Sequence, residues 1–180
     1  LGTQQSGHIA TVGYEMYCSM LEKAVRELRK LPPKESVDVT IDLPVEAFLP
    51  GSYVPDVRSK IDLYRRLARA SSLPEVEDFA GELADRFGQP PPPVERMLEL
   101  ARLRVAAHQW GVQTIRREDS YLVLEYTLRH KMRDLVEQSH GRLRIADHRS
   151  ADLPIPRGED GVEALLAQVK SLLHPGKSAA

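Results

Sequence analysis

Apolar residues recur at three- and four-residue spacing in several long stretches of this chain, and at two-residue spacing between them. The clearest stretch, residues 71–111, holds two helices about a proline joint. In the first, Val76, Phe79, Ala80, Leu83 and Phe87 form one stripe that must face a core. Ser72 with Glu75 makes a capping box, Pro74 is tolerated in the first turn, and Gly88 stops the helix. Residues 90–93 are all proline, which predicts a stiff extended connector whose last member opens the next helix. There Val94, Met97, Leu98, Ala101, Val105 and His108 mark one face while Leu100, Leu103 and Ala107 widen it. A helix apolar over so much of its circumference is the expected spine of the fold.

The rest of the chain is built around that pair. Ile9, Val12, Met16, Met20 and Val25 keep a helical period, with Cys18 inside it, until Pro32 and Pro33. Residues 36–43 alternate Val37, Val39, Ile41 and Leu43 with polar residues, as a strand with one buried face does. Pro44, Pro50 and Pro55 break up a surface segment expected to anchor through Phe48, Leu49 and Tyr53. Asp56 caps the next helix, with Ile61, Tyr64, Leu67 and Ala68 inward and Arg58, Lys60, Arg65, Arg66 and Arg69 making it basic. Residues 112–117 and 121–126 read as a hairpin across Glu118, Asp119 and Ser120. Thr127 is placed to cap a short helix carrying Met132, Leu135 and Val136, closed near Gly141. A second hairpin joins 143–146 to 152–155, where Pro154 predicts an edge strand. Asp160 opens a final helix with Leu165, Leu166, Val169 and Leu172, ended by Pro175. The expected fold is α/β, a small mixed or antiparallel sheet covered by several helices and preceded by a helical segment. Residues 1–31 form that segment, 32–175 the domain, and 176–180 a frayed tail.

Charge narrows the functional classes. Lys and Arg total 25 against 26 for Asp and Glu, so the composition lacks the basic excess of an autonomous DNA binder. One cysteine excludes an internal disulfide and fits a reducing, cytoplasmic setting. No apolar run approaches the roughly 20 residues that span a bilayer, no signal-peptide arrangement opens the chain, and a first residue other than Met suggests a fragment of a longer polypeptide. The six histidines show no metal-ligand spacing, and neither GxxxxGK[ST], GxGxxG nor GxSxG occurs. No catalytic, cofactor or metal site is therefore expected. Arg96, Arg102 and Arg104 fall among the apolar residues of the spine, where salt bridges are expected rather than a nucleic-acid stripe. Asp78, Glu82 and Asp85 gather on the side of their helix away from the apolar stripe. That side is either a solvated face or a docking surface for a basic partner.

Two segments carry a resemblance. LGTQQSGHIATVGYEMYCSMLEKAV resembles the end of the translocase module in the bacterial transcription-repair coupling factor family, Mfd. DLPVEAFLPGSYVPDVRSKIDLYRRLA, followed by ELADRFGQPPPPVERMLELARLR, resembles that family's C-terminal domain in order and spacing. The four prolines are a local departure that bears on the linker alone. The resemblance implies a non-catalytic fragment of an ATP-dependent, superfamily 2 DNA translocase, with ATP and Mg in the parent motor and none here. Gln5 would be the remnant of the translocation motif. The C-terminal domain would regulate the motor by masking the UvrB-like module that recruits UvrA. Partners would be that module, indirectly UvrA and RNA polymerase, and DNA through the motor only, with no membrane. Glu82 and Asp85 lie in the ELxDRFG pattern and, with Asp78 and braced by Arg86 and Phe87, form the expected interdomain interface. A direct docking module for polymerase or a repair factor is the alternative, and a nucleic-acid-processing enzyme domain a third class.

Overall fold

Five strands and five helices form among residues 37–174, the part of the chain that the computed structural model describes. In chain order they are β1 (Thr40–Asp42), α1 (Val57–Arg69), α2 (Leu73–Phe87), α3 (Pro92–Gln109), β2 (Val112–Glu118), β3 (Tyr121–Tyr126), α4 (Arg129–Gln138), β4 (Arg144–Ile145), β5 (Ser150–Pro154) and α5 (Val162–Leu173). The expected N-terminal helix with Cys18, Gln5 before it, and Pro175 with the tail at 176–180 lie outside the described residues.

The strands make one mixed sheet in the order β1-β2-β3-β5-β4, with β1 parallel to β2 and the other pairs antiparallel. Ile41, Ile115, Leu124 and Ala151 stand in one row across it, so they share a face. That face packs on Leu103, Ala106 and Ala107 of α3, Met132 and Leu135 of α4, and the apolar stripe of α5. Arg116, Val123, Asp152 and Arg144 form a row on the opposite face. A second core joins Leu63 and Leu67 of α1, Val76, Phe79 and Leu83 of α2, and Val94, Met97, Leu98, Ala101 and Val105 of α3. One helix serves both cores, so α3 is the spine that its apolar circumference predicts.

The helix ends follow the sequence closely, with small adjustments. Asp56 caps α1 by accepting the Ser59 N–H at 2.7 Å, and the backbone and side-chain bonds from Ser59 hold its carboxyl below the usual range. Gly88 ends α2 at φ +83, in the left-handed region that glycine tolerates without strain. Glu75 of the capping box reaches one residue further back than expected, accepting the Ser71 N–H at 2.8 Å. Thr127 does not cap α4: Leu128 takes the cap position, and the Thr127 hydroxyl is turned to the Gly111 carbonyl, to which it donates at 3.3 Å. Gly161, not Asp160, precedes α5, and Asp160 pairs with Arg117 at 3.7 Å.

Burial departs from the helical wheel in places. His108 is exposed at the end of α3, Leu63 is buried where Ile61 and Ala68 are half-buried, and Phe48 is 45% exposed beside a buried Leu49. The expected edge position of β5 is also overturned, since β5 lies between β3 and β4. Pro154 is tolerated there because β4 pairs only as far as Asp152. The neighbouring Ile155 N–H points the other way, to the Ser120 carbonyl at 2.8 Å, so the donor that proline lacks would have faced past the end of β4.

Candidate functional site

The helix carrying Asp78, Glu82, Asp85, Arg86 and Phe87 is α2, held on one side by α3 and on the other by α1. Glu82 is committed within the domain. Both carboxylate oxygens accept from Arg66 of α1, one of them at 2.8 Å, and Arg86, one turn along α2, donates to Oε1 at 2.8 Å. These hydrogen bonds, Arg66 first and Arg86 second, lower the Glu82 carboxyl from 4.5 to about 2. The arginines are themselves seated on rings: Arg66 lies over Phe79 at 5.5 Å and Arg86 over Phe87 at 5.0 Å.

Phe87 closes the same end of the helix. Its ring packs tilted against Tyr53 at 5.8 Å, and the single proton of the Tyr53 hydroxyl is shared between the carbonyls of Gly88 at 2.9 Å and Leu83 at 3.2 Å. The contact gives the Gly88 carbonyl, just past the last residue of α2, a partner that the helix does not supply. Burial raises the Tyr53 hydroxyl above its ordinary value. The segment before α1 thereby buttresses the C-terminus of α2, a role for Tyr53 that apolar spacing does not reveal.

Asp78 and Asp85 differ from Glu82. Both are exposed, and neither forms an ion pair among the described residues. The result is a ridge on which one carboxylate is neutralised by arginines at the centre and two carboxylates face solvent on either side.

On its other flank α2 is tied to α3. Arg102 donates to Glu77 through two bonds of 2.7 and 2.9 Å, which lowers the Glu77 carboxyl. Arg96 pairs with Glu163 of α5 at 2.8 Å and Lys170 of α5 with Glu99 at 3.0 Å, so the salt bridges expected of Arg96 and Arg102 are present. Arg104 is buried and donates to the Leu67 carbonyl at 2.8 Å, at the C-terminus of α1. A groove of about 530 Å³ runs between these elements, with Leu98, Leu166 and Ala167 in its lining and Arg96, Arg102 and Lys170 each matched by a glutamate. Among the described residues no group of His, Cys, Asp or Glu is placed to hold a metal ion, and no helix is long and apolar enough to cross a membrane.

Arg66 and Tyr53 are the residues that organise this face without having been singled out for it. The signal for Arg66 was present: a basic helix directly precedes an acidic one, and such neighbours pair.

Known proteins bear on the same elements. The family model described as the TRCF domain matches residues 43–135, from just after β1 into α4. The transcription-repair-coupling factor of Myxococcus xanthus is 32% identical over 179 residues, which is 97% of this chain and 15% of that protein. The protein of the same name from Staphylococcus aureus strain USA300 is 38% identical over 118 residues, 64% of this chain and 10% of that protein. This chain therefore spans a small fraction of the length of those relatives. A crystal structure of the C-terminal domain of transcription-repair coupling factor superposes with a TM-score of 0.64 at 22% identity, covering 82% of this chain and 99% of that one, a likeness of fold. With the family match covering more than half of the residues, the chain belongs to the TRCF domain family of the transcription-repair-coupling factors.

Proposed function

We propose that this chain is the regulatory C-terminal domain of an ATP-dependent DNA translocase that couples transcription to nucleotide excision repair, and that it masks the UvrA-binding, UvrB-like module of its own parent. On this reading ATP and Mg belong to the parent motor, Gln5 is the tail of the translocation motif, and the chain works in the cytoplasm without chemistry of its own. The observation that carries the masking role is the α2 ridge, within the region matched by the TRCF family. Arg66 and Arg86 fix Glu82, which leaves Asp78 and Asp85 displayed on a rigid helix rather than on a loop. Rigid display lowers the entropic cost of docking. Asp78 and Asp85 meet cations of the UvrB-like module, while Glu82, Arg86 and Phe87 hold the ridge in place.

A pair of charges at an interface rim contributes about 0.2–1 kcal/mol each. Asp78→Asn/Asp85→Asn should therefore weaken binding of this chain to the separately expressed UvrB-like module about fivefold, with an unchanged melting temperature. The same change in the full-length parent should raise its affinity for UvrA. Unchanged binding in both assays would return the ridge to a solvated surface. Direct docking on RNA polymerase predicts the reverse pattern, in which the isolated chain binds polymerase and ignores the module.

A further inference from the structure

Arg65, Arg66, Arg86, Arg96 and Arg102 of the helical part each answer to a carboxylate. Residues 129–149, which form α4, β4 and the loop into β5, contrast with this. They carry Arg129, Lys131, Arg133, Arg142, Arg144 and Arg149 against Asp134, Glu137 and Asp147, in a chain whose net charge is −1. None of these six cations forms an ion pair among the described residues. Lys131 donates to the Gln109 carbonyl at 2.8 Å, and Arg142 to the Ser139 carbonyl at 3.3 Å and the Ser171 hydroxyl at 3.4 Å. Asp147 is turned onto its own loop, accepting the N–H groups of Arg149 at 2.7 Å and Ser150 at 2.8 Å.

The cations share one edge of the molecule. Helix α4 buries Met132 and Leu135, which leaves Arg129 and Arg133, one turn apart, on its exposed side. It packs beside β4, the last strand of the sheet. On β4, Ile145 faces the helices, and Arg144 lies on the open face of the sheet next to Asp152. The positive surface therefore wraps the β4 edge from the helical layer to the open face. Charges that only guard an edge against pairing would need to occupy the two-residue strand itself. Here they extend over a helix, a turn and a loop. Of the large apolar side chains exposed among the described residues, Leu128 alone adjoins this stretch, at 39% exposure. Protein interfaces have an apolar centre, whereas nucleic-acid interfaces are polar and strongly positive.

We propose that this basic edge binds the phosphate backbone of duplex DNA without reading sequence, as an accessory contact separate from the parent motor. The choice of duplex DNA among polyanions rests on the translocase reading above. The surface itself does not. The experiment is fluorescence anisotropy of a labelled duplex of about 30 base pairs, titrated with the 180-residue chain at several salt concentrations. With roughly four cations engaged, the log–log salt slope should be about −4, and Arg129→Gln/Arg133→Gln should reduce it by about 2 and weaken binding about tenfold at low salt. Arg142→Gln/Arg149→Gln should do the same, which keeps the test informative if one pair of changes disturbs folding. Arg58→Gln/Lys60→Gln on α1 should leave slope and affinity unchanged. Absence of binding at about 100 μM protein in low salt, equal weakening by the α1 control, or tighter binding of poly-glutamate or single-stranded RNA would each overturn the proposal. Loss of DNA binding with intact binding to the UvrB-like module overturns the basic edge alone, so the two readings fail separately.

Discussion

The helical part and the sheet part of this domain each have a core, the larger one in the sheet part, and are held in register by different groups. In the helical part, the links between elements are side chains. Tyr64 accepts the Leu49 N–H at 2.7 Å, Tyr53 ties down the end of α2, Arg66 joins α1 to α2, and Arg104 joins α3 to α1. In the sheet part, backbone ladders fix β2, β3 and β5, and polar side chains such as Arg116, paired with Glu118 and Glu125, sit on top of a register already set. Arg66, Glu82 and Arg102 on the surface of the helical part therefore have a structural task. Arg129 and Arg133 on α4 and Arg144 on β4 are exposed and form no ion pair among the described residues.

The sharpest way to break this comparison is to ask whether the two parts fold as one. Leu98 packs in the helical core and Leu103 in the sheet core, five residues apart on α3. Leu98→Ala and Leu103→Ala should each cost about 2–5 kcal/mol. Trp110, whose indole N–H donates to the Leu173 carbonyl at 3.0 Å, reports on the sheet part, while far-UV circular dichroism is dominated by the helices. Because α3 belongs to both cores, the two signals should melt together in both variants. A Leu98→Ala protein that loses helix signal while Trp110 fluorescence stays native would show two separable units.

Arg104 comes next in size. It is a buried cation whose guanidinium caps α1 through the Leu67 carbonyl, with the Ala70 carbonyl at 3.4 Å. Arg104→Met keeps the apolar stem and removes the charged hydrogen bond, for an expected loss of about 2 kcal/mol in denaturant titration. If side chains rather than packing set the placement of α1, hydrogen exchange should accelerate first in α1 and not in β2 or β3. Uniform acceleration across both parts would blur the distinction.

How much of this was legible depended on whether local rules decide the outcome. The caps at Asp56, Ser72 and Gly88, the proline joint and the apolar circumference of α3 are local, and they read correctly. Pro92 rather than Pro93 opens α3, a shift of one residue. Tertiary pairing decides the rest. Nothing local places β5 between β3 and β4, and Pro154 is accommodated because the neighbouring strand stops short. Phe48 and Leu49 lie in a segment without periodicity, so sequence does not say which turns inward; the Leu49 N–H bond to Tyr64 does. Thr127 is a sound cap by residue type, but its hydroxyl is turned to the Gly111 carbonyl and the helix begins one residue later, after Leu128. The acidic side of α2 was readable as a pattern, while its division into a neutralised Glu82 and displayed Asp78 and Asp85 required the position of Arg66 on another helix.

Glu82 supplies the smallest and most specific test. Its folded carboxyl titrates at about 2 instead of 4.5 because Arg66, and then Arg86, donate to the ionised form. A folded value below the unfolded one means that the unfolded chain takes up a proton first as pH falls. The stabilisation is therefore complete above about pH 4.5 and disappears as pH falls towards 2. About a third of the side chain is exposed, so solvent screening limits the effect to about 1 kcal/mol. Wild type should exceed Glu82→Gln by that amount at pH 6, and the gap should close progressively below pH 4.5. Asp56 and Glu77 also titrate low, and since both proteins retain them, the difference between the two melting curves isolates Glu82. The matched substitution in the sheet part is Arg116→Gln, which removes pairs to Glu118 and Glu125 while leaving the backbone ladder whole. Its cost should be smaller than that of Glu82→Gln. An equal or larger cost would mean that side-chain pairs matter as much on the sheet as between the helices, and the division of labour between the two parts would not hold.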